Sequence, residues 1–190
     1  MPLDPQECAA RAKKIKLVLM DIDGVWTEGG LFYMPLGEDT SPGRMVEAKT
    51  VDTQDGMGLR WAHAAGIQTG LISGRESPGV THRAQMLGVT YIYQNYLEKI
   101  PPYEEILGKA GVSDEQVAYM GDDLPDAPLI NRVGLGVAVA NARPELKGVA
   151  DYITTAGGGR GAIREVLEMI MKAQGTWDDV LRKYGLPVEE

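Results

Sequence analysis

Five short apolar runs, at residues 16–20, 67–72, 89–93, 117–120 and 135–139, constrain the fold more than any other feature of this chain. They are continuous rather than alternating, as parallel strands covered on both faces must be. Segments of helical periodicity lie between them, at 55–65, 78–87, 101–109 and 124–132, and another follows at 162–173. Several open near a proline or an acid, which suits a first helical turn. Strands that alternate with helices imply right-handed crossovers. The sequence therefore predicts an α/β fold, a three-layer, doubly wound, Rossmann-like arrangement around a parallel sheet.

One segment breaks the alternation. Between Gly30 and Asp55, two β-like runs at 31–34 and 45–51 flank a turn rich in Gly, Pro, Ser and Asp. They predict a β-hairpin (31–51) inserted after the first strand, too small to be a domain and with apolar residues that need a surface to cover. Residues 1–175 then read as a single domain and 176–190 as a C-terminal helical tail. The stretch "GGGRG" at 157–161 reads as a flexible hinge before an amphipathic helix.

Composition narrows the partners. The 190 residues carry 27 acids against 19 Lys and Arg, a net charge of −8, with no basic block. That argues against nucleic acid or an anionic membrane, and an anionic ligand would need local attraction instead. Cys8 is the sole cysteine, so neither an intramolecular disulfide nor a cysteine metal cluster is available. His63 and His82 lack zinc spacing and read as helix-surface residues. The first apolar run is too short for a signal peptide or a membrane span, so a cytoplasmic location is expected.

In an open parallel sheet, ligands sit beyond the carboxyl ends of the strands. The first strand is followed by Asp21 and Asp23, the second by Ser73, Gly74 and Arg75, the third by Asn95 and Lys99, and the fourth by Gly121, Asp122 and Asp123. Phosphoryl transfer suits these groups. Asp21 and Asp23, two apart on extended chain, can face one side and, with Asp122, concentrate charge that a hard cation must neutralise. Oxygen ligands without His or Cys favour Mg²⁺. Lys99 could clamp Asp21 and a phosphate oxygen together, and Ser73 could hydrogen-bond the transferring group. Asp21 would attack phosphorus to give an aspartyl-phosphate, and Asp23 would act as acid and then base. Asp123 and Asp126 suit a helix N-cap.

"DIDGVWT", "SGR", the lysine after the third strand and "GDD" resemble, in order, the four motifs of the haloacid dehalogenase superfamily of phosphatases. "AKKIKLVLMDIDGV", the hairpin, "QDGMGL", "YMGDDLPD" and "GGGRGAIREVLEMIMKAQG" extend the likeness over residues 12–175, to the 3-deoxy-D-manno-octulosonate 8-phosphate phosphatase group. The resemblance implies Asp21 as nucleophile and metal ligand, Asp23 as acid/base with its carbonyl on Mg²⁺, and Asp122 as the third ligand. It implies Ser73 and Lys99 as phosphoryl stabilisers. It places substrate contacts on Asp23, Asp52, Thr53, Gln54, Asp55, Gly56, Arg60, Gly74, Arg75, Arg83 and Lys99. Arginines suit a substrate bearing a carboxylate beside its phosphate. With 23 residues between Arg75 and Lys99 there is no room for a cap domain. The group assembles as a homotetramer in which a neighbour's tail closes the site, a role that falls here on Arg160. The turn between Met34 and Lys49 is roughly eight residues longer than the group leads one to expect.

Two other functions fit parts of this pattern. A nonulosonate 9-phosphate is a sugar-acid phosphate of the same kind. A phospho-acceptor or interaction domain would also use an aspartate, Mg²⁺, a hydroxyl and a lysine on a parallel sheet. The third strand, however, ends "YIYQN", without the acceptor aspartate of such domains.

Overall fold

Asp4 caps the first helix, its carboxylate accepting from the N–H groups of Gln6 and Glu7 at 2.9 and 3.0 Å. The computed structural model describes residues 2–35, 37 and 45–188. Helix α1 (Pro5–Ala12) leads into strand β1 (Leu17–Met20), and a single turn over Ile22–Trp26 precedes the hairpin of β2 (Phe32–Pro35) and β3 (Met45–Ala48). Then follow α2 (Thr53–Ala64), β4 (Gln68–Ile72), α3 (Pro78–Leu87), β5 (Tyr91–Tyr93), α4 (Ile100–Ala110) and β6 (Val117–Gly121). A short turn at Leu124–Asp126 runs into α5 (Ala127–Ile130), after which come β7 (Leu135–Ala138), α6 (Pro144–Lys147), β8 (Tyr152–Ile153), α7 (Ala162–Ala173) and α8 (Trp177–Lys183).

Six strands pair in the order β5-β4-β1-β6-β7-β8, every pairing parallel, and β2-β3 form a separate antiparallel ribbon. The central strand β1 is hydrogen-bonded on both sides and buried on both faces, which is why "LVLM" is apolar throughout. Helix α7 buries Ala162, Ile163, Val166, Leu167, Ile170 and Met171, spaced at three and four residues, and packs on α1 and α2. Helix α8 docks through Trp177, whose ring lies 5.7 Å from that of Trp61, while the Arg164 guanidinium covers the Trp61 face at 4.0 Å. Among the described residues, no helix is long and apolar enough to cross a membrane.

The expected three-layer α/β architecture with its hairpin is present, with local differences. The sheet gains β8, a two-residue edge strand too short to register as an apolar run. Helix α2 begins at Thr53 rather than Asp55, because Asp52 accepts from the Gln54 N–H at 2.6 Å and caps it. The segment expected as one helix over 124–132 divides into the short turn and α5. Strand β2 lies one residue later than the expected 31–34, β3 is shorter than the expected 45–51, and the long turn between them lies mostly outside the described residues. His63 is half-buried rather than on the surface, its Nε2 2.6 Å from Thr69 Oγ1. His82 is exposed.

The glycine run expected to be a hinge is packed. A Cβ on Gly158 would collide with the Gly24 carbonyl, and the Gly159 N–H donates to the Val25 carbonyl at 3.0 Å. Asn141 bridges the two segments, donating to Gly24 O at 2.9 Å and accepting from the Gly158 N–H at 2.6 Å. These glycines permit close backbone approach to the turn that follows β1.

Candidate active site

The chain leaves β1 toward β4 and β5, then returns to build β6, β7 and β8 on the other side. Loops following β1 and β6 therefore part, and a crevice opens at the carboxyl edge. A cavity of about 190 Å³ lies there, with Asp21, Asp23, Ser73, Arg75, Lys99 and Asp122 in its lining. Four strand ends that are distant in sequence thus converge on one small volume, and Gly74 borders it too.

Lys99 stands immediately before α4, a helix that begins with Ile100 and two prolines, and is almost entirely buried. Its Nζ lies 3.0 Å from Asp21 Oδ1 and 2.6 Å from Asp126 Oδ1, and donates to the Tyr119 hydroxyl at 3.1 Å. Burial opposes the charge on this ammonium, but Asp21 and Asp126 together outweigh it and hold its pKa above the ordinary lysine value. Asp21 is pushed up to about 6, chiefly by burial, with Lys99 pulling the other way.

Asp126 has more to do than cap a helix. One carboxylate oxygen receives Lys99 and the Tyr119 hydroxyl at 2.6 and 2.7 Å, and the other receives the Asp122 and Asp123 N–H groups at 2.9 and 3.2 Å. Both oxygens are occupied, so the residue orients Lys99 and the Asp122 loop rather than binding a ligand itself.

The acids outnumber the cations here. Asp21, Asp122 and Asp126 each bring a carboxylate oxygen within 4.8 Å of the others, while among the described residues Lys99 is the one ammonium paired with them. Asp122 is pushed up to about 7 by burial and then by Asp21 and Asp126, and its buried Oδ1 has no hydrogen-bond partner. Gly24, at φ +92°, lies so close that a Cβ there would overlap the Asp122 carboxylate. Uncompensated charge, an orphaned buried oxygen and purely oxygen donors fit a hard divalent cation held by Asp21 and Asp122. The Asp23 side chain is not part of this cluster. It faces Lys49 Nζ, 2.7 Å from Oδ1, and Arg75 Nε, 3.5 Å from Oδ2.

Ser73 is buried at the end of β4, and its hydroxyl accepts from the Arg75 N–H at 3.3 Å. The Arg75 guanidinium binds Glu47 at 2.7 Å and the Tyr33 hydroxyl at 3.0 Å, which ties the hairpin to the crevice.

Within one chain the other sequence-predicted contacts stand apart from this cavity. Asp55 is buried and its carboxylate accepts from Arg164 N–H at 2.8 Å and Gly161 N–H at 3.4 Å, fastening the start of α7. Burial raises its pKa to about 6. Asp52 caps α2, Thr53, Gln54 and Arg60 are exposed, and Gly56 packs against Arg83. Arg83 borders a separate cavity of about 270 Å³ shared with Glu47 and Lys49. Arg160 is exposed and pairs with Glu28 at 3.0 Å.

The chain as a whole is similar to known proteins. Residues 88–163 match the haloacid dehalogenase-like hydrolases. The 3-deoxy-D-manno-octulosonate 8-phosphate phosphatase of Escherichia coli K12 is 40% identical over 170 residues, 90% of this chain and 86% of that protein. The crystal structure of the phosphatase of that name from Moraxella catarrhalis, in complex with magnesium, phosphate and a KDO molecule, is 38% identical. It superposes with a TM-score of 0.87 over 95% of this chain and 99% of that one. The Yersinia pestis phosphatase of the same name is 39% identical, with a TM-score of 0.84 over 90% of this chain and 89% of that one.

Proposed function

The chain belongs to the haloacid dehalogenase-like hydrolases, within the 3-deoxy-D-manno-octulosonate 8-phosphate phosphatase group, and from that membership we propose that it is a cytoplasmic, Mg²⁺-dependent phosphatase of that sugar-acid phosphate. The observation that carries the reading is the Asp21–Lys99 contact of 3.0 Å inside a crevice rich in carboxylates.

An Asp21 carboxylate oxygen attacks phosphorus, the bond from phosphorus to the sugar oxygen breaks, and Asp23 gives its proton to that leaving oxygen. Water then attacks the aspartyl-phosphate, Asp23 takes a proton back, and the Asp21–phosphorus bond breaks to release phosphate. Lys99 and Ser73 hold the phosphoryl oxygens through both steps. The Asp21 and Asp122 carboxylates and the Asp23 carbonyl would hold Mg²⁺, which offsets the negative charge of Asp21 and of the incoming ester. Arg75 borders the crevice and suits the substrate carboxylate. Gly74, Asp52, Thr53, Gln54, Asp55, Gly56, Arg60, Arg83 and Arg160 are proposed as its remaining contacts, Arg160 from a neighbouring subunit.

With Mg²⁺, the purified protein is expected to release phosphate over many turnovers from 3-deoxy-D-manno-octulosonate 8-phosphate, faster than from a nonulosonate 9-phosphate. EDTA should stop release and added Mg²⁺ restore it. A protein that is phosphorylated once and stays so would overturn the reading in favour of a phospho-acceptor.

The assembly is proposed to be a homotetramer joined through the hairpin. Phe32, Tyr33, Met34, Met45 and Val46 are exposed together on that ribbon, Phe32 by 63%, a concentration of apolar surface that a monomer rarely leaves bare. Sedimentation should give the mass of four chains for the wild type and a smaller species for Phe32→Asp. A monomeric wild type would exclude the tetramer.

A further inference from the structure

We propose that Lys49, at the end of the hairpin, is a positioning residue that fixes the direction of the Asp23 carboxylate, so that the ribbon is part of the catalytic apparatus. The proposal rests on the phosphatase reading above.

The Lys49 side chain is only 3% exposed. Its Nζ lies 2.7 and 2.9 Å from the two Asp23 oxygens and 3.2 Å from Glu47 Oε1. Burying an ammonium is costly unless it is paired closely, so this placement persists only through those carboxylates. Glu47 and Lys49 alternate with Val46 and Ala48 on extended chain and therefore point to the same side. Tyr33, directly opposite Glu47 in the hairpin register, donates its hydroxyl to Glu47 Oε2 at 3.0 Å. Glu47 also accepts from Arg75 at 2.7 Å, and the Arg75 Nε lies 3.5 Å from Asp23. Asp23 is thus gripped from two directions, by an ammonium from the hairpin and a guanidinium from the loop after β4, with Glu47 holding both cations. The packed turn fixes the main chain around Asp23, but rotation about the side-chain bonds is not restricted by it. Lys49 supplies that restriction.

A misdirected acid matters according to how much the leaving group needs a proton. An alkoxide from a sugar needs one, whereas p-nitrophenolate leaves without it. Single-turnover transfer to the enzyme, followed as release of the alcohol, separates these cases. Lys49→Met is expected to slow transfer from 3-deoxy-D-manno-octulosonate 8-phosphate by about 10²-fold and from p-nitrophenyl phosphate by less than about fivefold. Lys49→Arg should recover most of the sugar-phosphate rate, because the positive charge and donors remain. Glu47→Gln, which keeps hydrogen-bonding capacity, should fall between. A loss of the same factor on both esters, or none on either, would overturn this inference alone. A wild type inactive on both esters would overturn the phosphatase reading and this inference with it. Should Lys49→Met fail to fold, Lys49→Arg and Glu47→Gln carry the same comparison.

Discussion

Asp21→Asn is expected to eliminate phosphate release, by at least about 10⁴-fold, while the protein stays folded and melts no lower than the wild type. The two halves of this expectation have separate grounds. An amide oxygen has neither the charge nor the nucleophilicity to displace an alkoxide from phosphorus. What remains, Lys99, Ser73 and the orientation of the substrate, does not replace a missing nucleophile. Stability is preserved because Asn is nearly isosteric and because the ionised carboxylate is not well supported by its surroundings. Burial holds Asp21 at about 6 despite the Lys99 contact, so the charge costs the fold something. Lys99 keeps its 2.6 Å partner Asp126 and is not orphaned. Acid-quenched wild-type enzyme should carry covalent phosphate, and the variant none. Phosphate release by Asp21→Asn near the wild-type rate would exclude Asp21 as the nucleophile.

The sheet was legible because its chemistry is coarse. "LVLM" must be buried on both faces, and four more runs like it leave few arrangements other than a parallel sheet with helices on either side. The groups at the crevice followed from the same reading, since the topology alone sends the residues after β1, β4 and β6 to one edge. What was not legible depended on which way a side chain turns. Asp126 has the sequence context of a cap, and it does accept backbone N–H groups. Nothing in "GDDLPD" says that its second oxygen meets Lys99 and Tyr119. Asp55 lies within the motif that resembles a substrate loop, yet its carboxylate faces the start of α7, whose position no local pattern encodes.

Lys49 is an intermediate case. Glu47 and Lys49 sit two apart in a predicted strand, and that spacing places opposite charges on one face of the hairpin. The pattern is common on solvated strands, so only the fold distinguishes it, by carrying the ribbon back over Asp23. The glycines of "GGGRG" depart from the expected hinge for a related reason. Composition reports conformational freedom but not the backbone that approaches it, and here the turn after β1 fills the space a side chain would occupy.

The second large effect is expected at Asp126, and its neighbour provides the control. Asp126→Ala removes a residue that is 1% exposed and leaves the Asp122 and Asp123 N–H groups, the Tyr119 hydroxyl and one side of Lys99 without their acceptor. Breaking a buried charge network of this kind costs roughly 3–5 kcal/mol, which for a chain of this size lowers the melting temperature on the order of 10 °C. Asp126→Asn tests the site more finely. Its carbonyl oxygen can still accept the two backbone N–H groups, but its amide then turns donors toward Lys99 and Tyr119, which are donors themselves. Lys99 is left with Asp21 as its one carboxylate partner, beside the neutral Tyr119 hydroxyl, and shifts from the position in which it holds the phosphoryl group. A fall in kcat of about 10²-fold is expected, with a loss of stability smaller than for Ala. Asp123, three residues earlier and of the same type, is exposed and its carboxylate receives the Leu124 N–H at 2.8 Å. Asp123→Ala should therefore cost no more than about 1 kcal/mol, the value of a single cap, and leave kcat within about twofold. Thermal melts and phosphate release on the three variants decide the matter. Equal behaviour of Asp123→Ala and Asp126→Ala would mean that Asp126 is only a cap, and that the orientation of Lys99 comes from elsewhere.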